Sequence, residues 1–363
     1  MKKLTAVAIA VLVASQAQAT EIYKNDKTSI DLTGRAYAGH YFGSKASDDS
    51  AGSQAFTSDN GANNTFIRFG VKGETTVNDS LKAIGEYEAQ FYAGNSEKTL
   101  TNDDESTSSS ADAGNNLRTR LAYAGLKDEN WGQVTFGRQK GAISSITDWT
   151  DKSLTDGYGN NGLGQGTDTY GTGRSADVIK YVGKFDQVGL SASYKLGETT
   201  TKAEDENKNN ADAYGAALSY SLPMNFTLAT GYNIGKSKTD GVSTDAKLWV
   251  TGLKYDDKAL YSAFSYAKGT DFLGVGQDHD GMEFVAGYDF ANGFGLMAMY
   301  NKMKVKTNSE KFNKVDYYTL GAQYKFNKNF RVAAEYRINN SDKSASNTDT
   351  YKNDMQLAVR YDF

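Results

Sequence analysis

The stretch LRTRLAYAGL, residues 117–126, places Arg118 and Arg120 two residues apart. On an extended chain such side chains point the same way, about 7 Å from one another. Two guanidiniums held there repel unless they face water or an anion. Downstream, the polar connection 140–173 carries Asp148, Asp151 and Asp156. Arginines set opposite carboxylates select ions and orient polar solutes by charge. They are not a catalytic pair, because general acid–base chemistry needs groups that titrate near the working pH. The chain has only two histidines, His40 near a strand end and His279 in the polar stretch GQDHDG, and it lacks any HExxH, GxSxG or Walker pattern. GYGNNG (157–162) fits GxGxxG but lies in a polar loop with no helix after it, so it reads as loop chemistry. DDES (103–106) and EDENKNN (204–210) read as solvated loop charge, with divalent-cation binding as their other use. No enzyme activity, cofactor or resident metal is expected.

These residues sit in segments that alternate with a period of two, the signature of strands with one apolar and one polar face. In SIDLTGRAYAGHYF (29–42), Ile30, Leu32, Gly34, Ala36 and Ala38 alternate with Asp31, Thr33, Arg35, Tyr37 and Gly39. TFIRFGVKGE sets Ile67, Phe69 and Val71 against Arg68 and Lys72. NFRVAAEYRI sets Phe330, Val332, Ala334, Tyr336 and Ile338 against Arg331, Glu335 and Arg337. In 117–126 the rule assigns Leu117, Thr119, Leu121, Tyr123 and Gly125 to one face, with Arg118, Arg120, Ala122 and Ala124 on the other. Sixteen strands of about ten residues are expected, joined by seven short turns and eight long polar loops. The long loops include 93–116, 140–173, 236–245, 268–280 and 304–313.

The opening MKKLTAVAIAVLVASQAQA has a basic start, a short apolar run and a small-residue cleavage site, so residues 1–19 read as a secretory signal peptide. Residues 20–363 then form one barrel domain, and loss of Lys2 and Lys3 moves the formal charge from −4 to −6. An exported chain with no cysteine must be stabilised by something other than disulfides. Mean hydropathy is −0.60, and no later segment approaches the roughly 20 apolar residues of a membrane helix. Mild acidity without a basic patch argues against a nucleic-acid partner.

A soluble sandwich would bury the apolar faces together, whereas a membrane barrel turns them to lipid and the polar faces to a lumen. Strand length favours the barrel. So do aromatics near strand ends: Tyr41, Phe42, Tyr194, Tyr220, Tyr266, Tyr288, Phe290, Tyr324, Phe326, Tyr361 and Phe363. Closure also satisfies every ladder hydrogen bond. The fold class is therefore all-β, a 16-stranded antiparallel transmembrane β-barrel. Parity sends Arg35, Arg68, Arg118, Arg120 and Arg174 into the lumen. Such a barrel has a backbone radius near about 16 Å, too wide to sieve metabolites unless a loop folds inward. The third long loop, 140–173, is the candidate. Opposite charges about 8 Å apart attract by roughly 2 kcal/mol per pair at an effective dielectric of 20, enough to draw its acids toward the arginines.

EIYKNDKTSIDLTGRAYAGHYF, RFGVKGET (68–75), RTRLAYAGLK (118–127), FGRQKGA (136–142), TGLKYD (251–256), YKFNKN (324–329) and the terminal Phe363 together resemble the general trimeric porins of Gram-negative outer membranes. The resemblance implies a homotrimer of barrels in outer-membrane lipid and lipopolysaccharide, with periplasmic termini. Small hydrophilic solutes would diffuse through a charged eyelet. It maps a basic wall onto Arg35, Arg68, Arg118, Arg120 and Arg174, and loop carboxylates onto Asp151 and Asp156. It implies that Arg138, outward by parity, pairs with a neighbour's second loop, where Asp103, Asp104 and Glu105 are candidates. Phe363 is implied as the terminal aromatic used by the barrel-assembly machinery. The family's Pro-Glu-Phe-Gly-Gly segment reads here as LTDGYG (154–159), and Lys140 and Lys152 add positive charge to the loop. The other functions compatible with such a barrel are a substrate-specific channel, marked by a lumenal row of aromatics, and a structural or adhesive barrel acting through its loops.

Overall fold

Period-two alternation does build strands. The structure, a computed structural model, describes residues 20–42, 63–93, 117–166, 168–197, 212–239, 242–342 and 353–363. The first half contains β1 (Thr20–Lys24), β2 (Thr28–Phe42), β3 (Asn63–Thr76), β4 (Leu81–Tyr92), β5 (Leu117–Asp128), β6 (Gly132–Lys140), the single-turn α1 (Ser144–Thr147), β7 (Arg174–Phe185) and β8 (Val188–Lys195). The second half contains β9 (Ala213–Ser221), β10 (Phe226–Thr239), β11 (Val242–Asp256), β12 (Leu260–Thr270), β13 (Asp278–Asp289), β14 (Phe294–Lys306), β15 (Lys311–Lys325), β16 (Phe330–Asn339) and β17 (Asp354–Asp362).

Each strand from β2 to β17 pairs antiparallel with the next, and β17 pairs back onto β2 from Met355↔Phe42 to Asp362↔Arg35. Sixteen strands thus close a barrel, which leaves no open sheet edge in the membrane. The short β1 is additional. It pairs with β2 from Thr20↔Leu32 to Lys24↔Ser29, taking the stretch of edge below the end of β17. Phe363 completes the seam: its carbonyl accepts from the Gly34 N–H at 2.7 Å, and its own N–H donates to the Gly34 carbonyl at 3.0 Å. Its ring covers Gly34, where an added Cβ would sit 2.0 Å from the ring.

Outward residues are apolar and exposed while their neighbours are buried. Ile67 is 47% exposed beside Phe66 at 3%, and Leu320 is 56% exposed beside Thr319 at 0%. A surface of that kind is solvated by acyl chains.

Three expectations need correction. The strands run well past ten residues on the loop side, so 236–245 and 304–313 are largely ladder and 268–280 keeps loop only at 271–277: β10 and β11 extend to Thr239 and from Val242, β12 and β13 to Thr270 and from Asp278, and β14 and β15 to Lys306 and from Lys311. The polar residues that make these segments read as loop stand, where the ladder continues, on strand faces above the apolar band. His279 therefore lies on β13, turned inward and 2% exposed. Second, the β4–β5 register shifts between Glu88 and Ala89. The bulge keeps Arg118 and Arg120 inward but flips the faces after them. Leu121 and Tyr123 stand opposite Glu88 and Glu86, with the Tyr123 hydroxyl donating to Glu86 at 2.6 Å, while Ala122 and Ala124 turn outward. Third, Tyr41 does not join the aromatic girdle. It faces inward, edge-on to Tyr158 at 6.2 Å.

The apolar core lies inside the tube. Ile143, Ile146, Leu163 and Tyr170 of the connection after β6 pack on Ala213, Ala217, Ala229, Ala246, Leu248, Val250 and Ala267 of the wall. Leu154 and Tyr158 pack on Ala263, Val285, Met297, Met299 and Tyr317. Many inward positions on β9–β15 are small or apolar because they meet protein there, not water.

Candidate pore constriction

Two buried wall carboxylates hold the connection in place. Glu335 on β16 accepts from Ser153 Oγ at 2.6 Å, from the Leu154 N–H at 2.9 Å and from the Thr155 N–H at 3.0 Å, and also from the Thr155 hydroxyl. Glu283 on β13 accepts from the Gly162 N–H at 2.6 Å and from the Thr150 hydroxyl. Each glutamate is 1% exposed, so these hydrogen bonds satisfy groups that would otherwise be stranded without water. Further wall groups reach loop carbonyls: Tyr317 Oη to Tyr158 at 2.6 Å, Tyr261 Oη to Trp149 at 2.6 Å and Asn233 Nδ2 to Tyr170 at 2.9 Å. The acid–arginine attraction expected to hold the loop survives at one point. Arg35 Nη1 meets Asp156 Oδ2 at 2.8 Å, while Arg35 Nε bonds Asp362 Oδ1 at 3.0 Å.

The remaining arginines continue from Arg35 along the wall, beginning with its cross-strand partner Arg68 on β3. Arg68 donates twice to Gln90 Oε1, at 2.7 and 3.0 Å, and lies over the Phe66 ring at 5.2 Å. Arg120 Nε pairs with Glu88 Oε1 at 2.5 Å. Arg118 lies over the Tyr92 ring at 5.3 Å, and Arg174 stands opposite Lys140 on the β6–β7 ladder. Among the described residues neither Arg118 nor Arg174 makes an ion pair. Facing them, Asp148 is bound to Lys140 Nζ at 2.7 and 2.8 Å, and Asp151 is exposed. A cavity of about 320 Å³ separates the two sides, lined among others by Tyr92, Arg118, Arg120, Arg174, Asp148 and Asp151.

The sequence-derived set therefore divides. Arg118, Arg120 and Arg174 share this cavity with Asp148 and Asp151, and Arg138 also lines it. Arg35, Arg68 and Asp156 lie along the wall beside it. Arg331 and Arg360 belong with them, paired across β16 and β17, with Arg360 Nε 2.6 Å from Asp362 Oδ2. Neither was singled out from sequence, although both fall on the polar parity of their strands. Glu88 on β4 neutralises Arg120.

The loop acids differ electrostatically. Enclosure within the tube pushes the Asp151 carboxyl up, and Asp148 pushes it further, against the opposing pull of Lys140. Burial also pushes Asp156 up, but Arg35, then Arg360, Arg68 and Arg331, together bring it below the ordinary carboxylate range.

A short lumenal run of aromatics exists on β2–β4. Tyr37 stacks on Phe66 at 4.7 Å, and Phe66 meets Tyr92 at 6.2 Å. Tyr37 and Phe66 are only 2% and 3% exposed, so they offer no sliding surface to a sugar. Arg138 pairs with Asp168 of its own chain at 2.9 Å and donates to the Thr119 carbonyl at 3.0 Å. Asp103, Asp104 and Glu105 lie outside the described residues.

A closed barrel with a loop packed inside and a charged gap left open is the architecture of a diffusion pore, and comparison with known proteins agrees. Residues 5–344 match the Gram-negative porin family. The chain belongs to that family. It is 32% identical over 372 residues to the putative outer membrane porin protein NmpC of Escherichia coli (strain K12), covering 95% of this chain and 94% of the relative. It is 31% identical over 379 residues to the outer membrane porin PhoE of the same strain, covering 99% and 98%. In fold it is similar to OmpF of Salmonella typhi, solved in complex with daunomycin, with a TM-score of 0.76 at 23% identity, covering 95% of this chain and all of that one. This porin is thus an outer-membrane β-barrel through which small hydrophilic solutes diffuse.

Proposed function

We propose that the gap between the arginine arc and the loop after β6 is the selectivity-setting constriction of this porin. The observation that carries it is the shared cavity: Arg118 and Arg174, without ion pairs among the described residues, face the exposed Asp151 across it. Elsewhere opposite charges cancel locally, as in Arg120 with Glu88 and Lys140 with Asp148. Charge on these three side chains therefore sets the transverse field that a passing ion meets. Passage needs no chemistry from the protein, and the site acts by charge and width alone.

The assembly proposed is a homotrimer in outer-membrane lipid, exported by residues 1–19, with termini in the periplasm and Phe363 presented to the barrel-assembly machinery. Single-channel conductance and ion reversal potential on the purified protein test the constriction. Neutralising Arg118 and Arg174 should move selectivity toward cations, and Asp151→Asn should move it toward anions. Reversal potentials unmoved by both would place the constriction elsewhere.

A further inference from the structure

The connection from β12 to β13, DFLGVGQ (271–277), carries Phe272, Leu273 and Val275 at the loop end of the barrel, where a connection ordinarily meets water. It curls inward instead. Asp271, Gly274 and Gly276 have φ of 52°, 138° and 76°. The curl is closed by the Gly276 N–H donating to Asp271 Oδ1 at 2.5 Å and the Gln277 N–H donating to the Gly274 carbonyl at 3.1 Å. Leu273 packs on Met303, Val305 and Phe312 of the wall, and Phe272 enters the tube, where it is 1% exposed.

Phe272 lands on the constriction loop. Its ring lies 4.7 Å from that of Tyr170 and 6.3 Å from that of His279, and it shares one buried cluster with Leu163. His279 closes the other side: a carbonyl only accepts, so Nε2 donates to the Leu163 oxygen at 3.0 Å. Gly164, at φ of 70°, brings the loop backbone so near that a Cβ there would fall 2.6 Å from His279 Nε2. Leu163 and Tyr170 are therefore gripped between the barrel wall and a ring supplied by another connection. The loop residues around them, Asn160, Gln165, Gly166, Thr172 and Arg174, are ones that line the cavity. Glu335 and Glu283 hold the stretch before them, through Leu154, Thr155 and Gly162. Past Gly162 the wall gives hydrogen bonds from His279 and Asn233, and Phe272 supplies apolar cover.

We propose that Phe272 is a positioning residue for the constriction: a wedge from the β12–β13 connection that holds Leu163 and Tyr170 to the wall and so fixes Gln165 and Thr172 at the edge of the cavity. The proposal deepens the constriction reading given above and rests on it. A side chain roughly a hundred residues downstream of the loop thus sets how far the loop can move into or out of the path of a solute.

The test is thiol labelling in single channels. The chain has no cysteine, so Q165C introduces one thiol at a buried position that lines the cavity. A water-soluble methanethiosulfonate reaching it adds bulk to the cavity, and each reaction reads as a fall in current. Labelling should be about a hundred-fold faster in Q165C/F272A than in Q165C, the scale on which loss of a buried Phe side chain favours local opening. Q165C/F272L, which keeps an apolar wedge, should stay close to Q165C. Q165C/Y170A removes the same contact from the loop side and should also be fast, and Q165C/Y170A/F272A should be no faster than either, because partners in one contact are not additive. Equal rates in Q165C and Q165C/F272A, or effects of Tyr170 and Phe272 that simply multiply, overturn the proposal. Reversal potentials recorded in the same channels before labelling test the constriction itself, so an insensitive labelling rate refutes the wedge and leaves the constriction standing.

Discussion

Asp156 in the connection after β6 meets Arg35 on β2 at 2.8 Å, and the same guanidinium is held from behind by Asp362 at 3.0 Å. This ties the loop to the strand that closes the barrel, only two strands along from β16, where Glu335 holds the preceding residues Leu154 and Thr155. Asp156 has φ of 54°, a left-handed conformation that Asn also adopts readily. Asp156→Asn therefore removes the charge without straining the backbone. The lost charge-assisted bond is worth roughly 2 kcal/mol, so the loop stays docked through its other anchors but with greater local freedom. Single-channel recordings should show higher open-state noise at unchanged unfolding temperature. A quiet channel would mean that the contact adds nothing to loop order.

Acidification should act on the two loop acids in sequence. Asp151 is raised, so it takes up a proton above the ordinary carboxylate range as pH falls. Asp156 is lowered; its stabilising contact with Arg35 is intact above the ordinary value and is lost only as pH falls through its depressed one. Mild acid thus removes negative charge from the constriction while the loop remains tethered. Anion preference should rise in a first step that Asp151→Asn abolishes. Increased noise should follow at lower pH. A single step, or a first step that survives in Asp151→Asn, would contradict this order.

The strand faces were legible because a membrane barrel enforces alternation at every residue: a slipped register would expose charge to lipid. Arg35, Arg68, Arg118, Arg120 and Arg174 were inward on that basis alone. What alternation cannot show is a bulge, so Leu121 and Tyr123 were assigned the wrong face, because the shift between Glu88 and Ala89 comes from pairing and not from composition. Nor does it reveal which part of the inner wall is wet. Ala246, Leu248 and Val250 are all buried, and Leu248 faces inward at what would otherwise be a water-facing position, because Ile143 and Ile146 cover that wall. The loop's anchors were also hidden, since Glu283 and Glu335 look like any other polar-face acid until the backbone N–H groups they accept are known.

Glu335 should be the most sensitive of those anchors. Replacing it by Ala strands the Leu154 and Thr155 N–H groups and the hydroxyls of Ser153 and Thr155 in a buried site. Each buried group left unsatisfied costs about 1–3 kcal/mol, so together they outweigh the Asp156 contact. The loop segment should detach from β16, and single-channel conductance should rise with the wider bore. Glu335→Gln keeps one acceptor oxygen, so its conductance should lie between wild type and Glu335→Ala. Protease accessibility of 150–160 provides the independent check, and equal conductance in all three proteins would refute the anchoring role.

The barrel seam makes a prediction about folding in which the pore has no part. Gly34 carries no side chain where the Phe363 ring lies over it, and a Cβ placed there would fall 2.0 Å from that ring. The ring must swing off the seam and out of its stack on Tyr361, while the backbone hydrogen bonds between Phe363 and Gly34 hold the main chain. A branched side chain at 34 crowds both the ring and that pair of backbone bonds, so Gly34→Val should weaken the β2–β17 junction at its lower end. Lost ladder bonds there expose backbone groups to lipid at a cost of several kcal/mol each. The heat-induced unfolding temperature should fall sharply, while selectivity of the molecules that do fold remains that of wild type. Shortening the ring in the same molecule, Gly34→Val with Phe363→Ala, should recover part of the loss if the clash is the cause. An unchanged unfolding temperature in Gly34→Val would show that the seam tolerates a side chain and that the ring is not seated there.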